Sequence, residues 1–144
     1  MIRIRPFAIA DALSIDPRPI YPKDVKELYV KQSVFGRSFT LYESNDLKVL
    51  ACVTLCFLRP GLAGINMLCD NSFVRQKKEF IYVLRESIKY YMEELKLKRV
   101  QATIRADFPG AEKWIKIVGF EKEGVMKSYG PEGEDHFLFA KVVV

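Results

Sequence analysis

The hydrophobic pattern predicts an α/β (α+β) fold, a mixed, mostly antiparallel sheet of about seven strands flanked by helices. Three observations carry that prediction. Three neighbouring strand patterns occupy residues 38–69, a long amphipathic helix lies between two further strands, and a hairpin closes the chain. The 144 residues suit one domain over 1–144, long enough to bury a real core.

Met1–Phe7 alternates apolar and basic residues and reads as a strand. Ala8–Ile15 follows as a short helix, and Pro17, Pro19 and Pro22 then impose an extended connection. Lys23–Val34 is a helix whose partial apolar stripe is Val25, Leu28, Tyr29 and Gln32. Ser38–Glu43, Lys48–Leu58 and Ala63–Cys69 are successive strands, turning at Asn45-Asp46 and at Arg59-Pro60-Gly61. The near-continuous apolar run Val49–Val53 marks a strand covered on both faces.

The longest helix runs from Lys77 to about Leu97, with Phe80, Ile81, Leu84, Ile88, Tyr91, Met92 and Leu95 at helical spacing. Arg99–Arg105 alternates again. A strand, a long helix and a strand form a βαβ unit, so Ala63–Cys69 and Arg99–Arg105 are expected to be parallel. A short helix over Pro109–Val118 should be capped by Asp107 and ended by Gly119, with Ala111, Trp114, Ile115 and Val118 buried. Glu121–Tyr129 and Asp135–Val143 complete a hairpin.

Composition removes several chemistries. Hydrophobic residues make up 49% and charged residues 28%, a balance foreign to disordered chains. No apolar run approaches the roughly 20 residues that cross a bilayer, so no membrane partner is expected. The first residues lack the apolar stretch of a signal peptide, and the expected location is cytoplasmic. Cys52, Cys56 and Cys69 lie in apolar strands and read as buried, reduced thiols. With His136 the only histidine, a two-histidine metal site cannot form within one chain, and no metal is expected. No motif surrounds His136, which reads as a strand-end histidine. The net charge of +5 attracts polyanions, whether nucleic acid or a phosphate-bearing cofactor.

Two segments carry a resemblance. Ile2-Arg3-Ile4-Arg5-Pro6 opens the chain, and Ala111–Val118 leads into Gly119-Phe120-Glu121. With the order of elements, they resemble the first strand and the Leu-Gly-Phe helix ending of the GNAT (Gcn5-related) N-acetyltransferase superfamily, across essentially the whole chain. The resemblance implies acetyl-CoA as cofactor and acetyl transfer to an amine acceptor. It also implies backbone groups at Met67, Leu68, Cys69 and Asp70 that bind the pantetheine arm. Arg75, Gln76, Lys77 and Lys78 would then take the pyrophosphate at the start of the long helix, where free N–H groups and the dipole favour anions. A homodimer or other protein partner is also in keeping with that family.

The chain departs from the family at three places. The phosphate loop, Arg/Gln-x-x-Gly-x-Gly/Ala, is matched by Arg75–Phe80 with Lys78 and Phe80 at its glycine positions. The tyrosine acid four residues before the helix-ending glycine is Ile115, which has no proton to give. The asparagine near the start of that helix is matched by Phe108. Asp70 and Glu43 are the candidate bases, and no catalytic residue is assigned. These departures keep a second reading in view: a catalytically inactive GNAT-fold structural or interaction module, for example a phage internal virion protein. A nucleic-acid binder using Arg75, Lys77, Lys78, Lys96, Lys98 and Arg99 ranks last, because no aromatic-interleaved basic motif accompanies them. An open cleft beside the long helix favours the enzyme, and a plugged one the module.

Overall fold

The computed structural model describes residues 1–19, 21–72, 77–108 and 110–143, with the side chain of Lys77 outside that set. The elements are β1 (Ile2–Pro6), α1 (Ile9–Ser14), α2 (Val25–Ser33), β2 (Gly36–Glu43), β3 (Val49–Arg59), β4 (Leu62–Cys69), α3 (Lys77–Glu94), β5 (Arg99–Arg105), α4 (Ala111–Val118), β6 (Glu121–Met126) and β7 (His136–Val142). They build one seven-stranded sheet in the order β1-β2-β3-β4-β5-β7-β6. Every neighbouring pair is antiparallel except β4 and β5, the parallel pair that the long crossover helix requires.

Each face of the sheet has its own core. On one face α3 lays Phe80, Ile81, Leu84, Ile88, Tyr91 and Met92 against Phe39, Val53, Leu55 and Val100, joined by Ile115 and Val118 of α4. On the other, α1 and α2 bring Ala12, Ile15 and Tyr29 onto Cys52 and Leu68. The first seven residues of β3 are buried on both sides, as their unbroken apolar run demands. β2 approaches β3 so closely that a Cβ on Gly36 would lie 1.8 Å from the Leu55 carbonyl oxygen, which excludes any other residue there.

Several boundaries differ from the pattern, each for a local reason. α3 stops at Glu94 because Lys96 turns left-handed at φ 55°, and Leu97 N–H returns to the Met92 carbonyl. β6 stops at Met126 because Ser128 takes φ 55°. In α2 the stripe is carried by Tyr29, Val25 and Val30, whereas Leu28 is 41% exposed. Asp107 does not cap α4. Its carboxylate takes both Arg105 donors at 3.1 Å, and Gly110 stands at the helix start with no side-chain bond. Pro109 lies outside the described residues. Gly119 ends α4 at φ 113°, as its position predicts. Among the described residues no helix is long and apolar enough to cross a membrane.

Candidate active site

β4 and β5 pair only through Leu62–Gly64 and Arg99–Gln101, after which their register ends while both strands continue. The split that opens is continuous with a cavity of about 650 Å³, walled by β4, β5, α3, α4, the start of β7 and the loops between elements. Its floor is apolar, with Ile65 and Met67 on one strand and Ala102 and Ile104 on the other. Leu84 and Ile88 of α3 and Ile115 and Val118 of α4 close it below.

Strand alternation gives the split its polar edge. Asp70 N–H donates to the Leu50 carbonyl on β3 at 2.8 Å. Successive backbone groups point to opposite edges of a strand, so those of Cys69 and Met67 face away from β3, toward the split. Tyr21 reaches the same place: its hydroxyl interacts with the Cys69 backbone and thiol. Burial raises the pKa of Tyr21, so the phenol keeps its proton at neutral pH. Burial also pushes the Cys69 thiol up to about 12, which makes it a poor nucleophile.

The loop that carries Tyr21 is pinned to the end of β4. Pro17 bridges to Asp70, Asp16 N–H donates to Asp70 Oδ1 at 2.8 Å, and Asn71 N–H donates to the Asp16 carbonyl at 3.0 Å. Arg18 lies over the Phe108 ring at 5.3 Å, linking this loop to the start of α4. The opposite wall is the β6–β7 turn, with Pro131, Glu132 and Glu134, followed by His136. The Glu134 carboxylate stands 3.5 Å from His136 Nε2.

The expected site residues separate accordingly. Met67 and Cys69 line the cavity. Leu68 is fully buried on the opposite face of the sheet. Asp70 is 1% exposed. Its carboxylate accepts from Asp16 N–H, Ser72 N–H and Ser72 Oγ, with Lys48 Nζ at 3.6 Å. Burial works to raise its pKa, yet these donors hold it below the ordinary carboxylate value. Glu43 pairs with the Met1 amino group at 2.6 Å, on the β1–β2 side of the sheet. Neither candidate base lines the cavity; both are structural carboxylates. Lys78 is exposed in the first turn of α3, beside Glu79. Arg75 and Gln76 lie outside the described residues, as does the side chain of Lys77.

Ile115 and Phe108 line the cavity at the positions that depart from the family. Trp114, expected to be buried, is instead half-buried and faces the cavity. Of the thiols, Cys52 and Cys69 are buried as expected, whereas Cys56 is partly exposed. Arg99, one of the proposed nucleic-acid contacts, is held bidentately by Glu123 at 2.8 and 2.6 Å. Sequence reasoning missed Tyr21, which no motif marks; the one local signal is that Pro19 and Pro22 flank it and restrict the backbone. It also passed over Glu134, two residues before His136 in the turn that leads into β7.

No protein-family model and no curated protein sequence matches the chain. Solved structures do. An acetyltransferase of the GNAT family from Bacillus anthracis matches with TM-score 0.74 at 16% identity, over 98% of this chain and 94% of that one. A variant of the spermidine N-acetyltransferase from Vibrio cholerae matches with TM-score 0.76 at 15% identity, over 97% and 94%. A ribosomal-protein alanine N-acetyltransferase from Escherichia coli matches with TM-score 0.71 at 19% identity, over 99% and 94%. Split sheet, crossover helix and closing hairpin together are the fold of the GNAT N-acetyltransferases, and this chain has that fold.

Proposed function

We propose that this protein transfers an acetyl group from acetyl-CoA to an amine. The observation that carries the reading is the split between β4 and β5, open and lined on one edge by strand backbone with no strand partner. An extended arm bearing amides fits such an edge, because it can complete the pairing that β5 leaves undone. Met67 supplies the backbone contact in the middle of the track and Cys69 the one at its end, where Tyr21 stands. Lys78 and the free N–H groups of the first turn of α3 would meet the phosphates, aided by Arg75, Gln76 and Lys77. Bound there, acetyl-CoA supplies the activated acetyl thioester.

The chain's own groups then have defined tasks. The apolar floor excludes water from the thioester end of the track. Tyr21 Oη holds a proton where a departing sulfur needs one, the task Ile115 cannot perform. The acceptor enters between the Tyr21 loop and the β6–β7 turn, whose Glu132 and Glu134 favour a cationic amine. Two of the similar structures are named as N-acetyltransferases of spermidine and of a ribosomal-protein alanine, both amines.

The test is calorimetric titration with acetyl-CoA, followed by initial rates with spermidine and with a peptide bearing an alanine amino terminus. Saturable binding and acetylation of either amine support the reading. Absence of acetyl-CoA binding overturns it and leaves a GNAT-fold interaction module.

A further inference from the structure

Among the described residues, the only buried side-chain nitrogen or oxygen atoms without a hydrogen-bond partner are Nδ1 and Nε2 of His136. Buried polar atoms in folded proteins nearly always find a partner, so a ring with both nitrogens this loosely held is suited to take one from a bound molecule. These nitrogens belong to a residue on the wall of the cavity, at the side where an acceptor would enter.

The surroundings are built around this ring. Glu134 Oε1 lies 3.5 Å from Nε2, while Glu134 Oε2 accepts the Glu132 N–H at 2.9 Å and the Glu134 carbonyl accepts the Gly130 N–H at 3.0 Å. The Glu134 carboxylate lies over Gly130, where a Cβ would sit 1.7 Å from Oε1. Tyr129 packs edge-on against the imidazole at 5.2 Å, and Arg105 is its register partner on β5. Asp107 and Arg105, from the end of β5, and Glu132 and Glu134, from the turn, are the charged groups around it.

We propose that His136 is the general base that takes the proton of the acceptor amine, with Glu134 as its positioning residue. The proposal rests on the acetyl-transfer reading. The acceptor ammonium first gives one proton to the free ring nitrogen, which frees its lone pair. The nitrogen then forms its bond to the acetyl carbon as the thioester carbon–sulfur bond breaks, and its second proton passes to solvent. The departing sulfur gains a proton from Tyr21 Oη, and His136 and Tyr21 restore their charge states through solvent. Glu134 fixes the ring and stabilises the imidazolium that forms. The absence of short hydrogen bonds before the acceptor arrives is ordinary for such a group, because catalytic hydrogen bonds often tighten only in the complex.

The experiment compares the full-length wild type with His136→Gln and Glu134→Gln. The glutamine at 134 keeps an oxygen for the Glu132 N–H. Acetyl-CoA affinity is expected to stay within about twofold in both. With spermidine or the alanine peptide, kcat should fall about 100-fold in His136→Gln with KM little changed, and the acidic limb of its pH profile should vanish. Glu134→Gln should lose about 10-fold and displace that limb. Because His136 is the only histidine, its imidazole resonance is unambiguous in a nuclear magnetic resonance spectrum and should shift when the amine is added to the coenzyme A complex. Rates within about threefold of wild type in His136→Gln, or a resonance unmoved by both amines, overturn the proposal while leaving acetyl transfer intact. If neither amine is turned over, the resonance alone decides. Wild type that binds no acetyl-CoA overturns both readings together.

Discussion

At the residue scale, the proposed proton donor is Tyr21. Ile115 on α4 is 4% exposed and has no proton to give, while Tyr21 lines the same cavity beside Cys69 at the end of β4. Replacing Tyr21 by phenylalanine keeps the ring and removes only the hydroxyl. Binding of acetyl-CoA should change less than about threefold, and kcat should fall at least 10-fold. An unchanged kcat would assign Tyr21 to packing. The thiols offer a second check. Burial pushes Cys52 and Cys69 each up to about 12, while Cys56 is partly exposed on β3. A thiol reagent near neutral pH should therefore label Cys56 first, and label Cys52 and Cys69 only on unfolding. Rapid labelling of all three thiols in the folded chain would contradict this burial.

The elements show where sequence pattern is sufficient and where it is not. α3 was legible because its stripe repeats at helical spacing over 18 residues and meets one sheet face. The parallel pairing of β4 and β5 followed from the crossover, but the length of that pairing did not. Three register pairs, then divergence, is a tertiary outcome that no local propensity encodes. α4 was read too simply for the same reason. Its apolar stripe includes Trp114, yet the split removes the neighbour that would have covered the ring. Replacing Trp114 by alanine should cost about 2 kcal/mol, less than a fully buried tryptophan, and should also weaken acetyl-CoA binding several-fold. Loss of stability with unaltered binding would make it a packing residue only. Gly119, by contrast, was correctly placed from sequence. At φ 113°, substitution by alanine should cost about 1–2 kcal/mol in thermal unfolding. The Tyr21 contact had no such pattern, because it joins a loop to a strand end 48 residues away, and the local contacts of His136 with Glu134 and Tyr129 carry no motif that marks them.

On the scale of the whole molecule, two buried carboxylates tie the α1 end to the sheet and to the loop that carries Tyr21. Asp11 accepts from Arg5 at 2.8 Å, from Ala8 N–H at 3.0 Å and from Thr40 at 2.8 Å, joining α1 to β1 and β2. Burial works to raise its pKa, but these donors hold it below the ordinary value, as with Asp70. An unfolded chain therefore takes up protons at a higher pH than the folded one. Stability from these groups is complete above about pH 4 and is lost as pH falls through the lower folded values. Denaturant midpoints should decline across that window, and Asp11→Asn should decline less steeply from a lower starting stability. The same pinned loop sets the response to ligand. The cavity is formed by both halves of the split sheet, so acetyl-CoA would bind the folded chain and not the unfolded one. At 100 times its dissociation constant such a ligand stabilises by about 2.7 kcal/mol, which for a chain of this length raises Tm by about 8 °C. Coenzyme A should give most of that shift, since it shares the arm and the phosphates. Raising salt to about 0.5 M should shrink it, because Lys78 is exposed and its attraction to phosphate is screened. A shift that grows with salt, or one produced equally by unrelated polyanions, would place the ligand on the basic surface and away from the split.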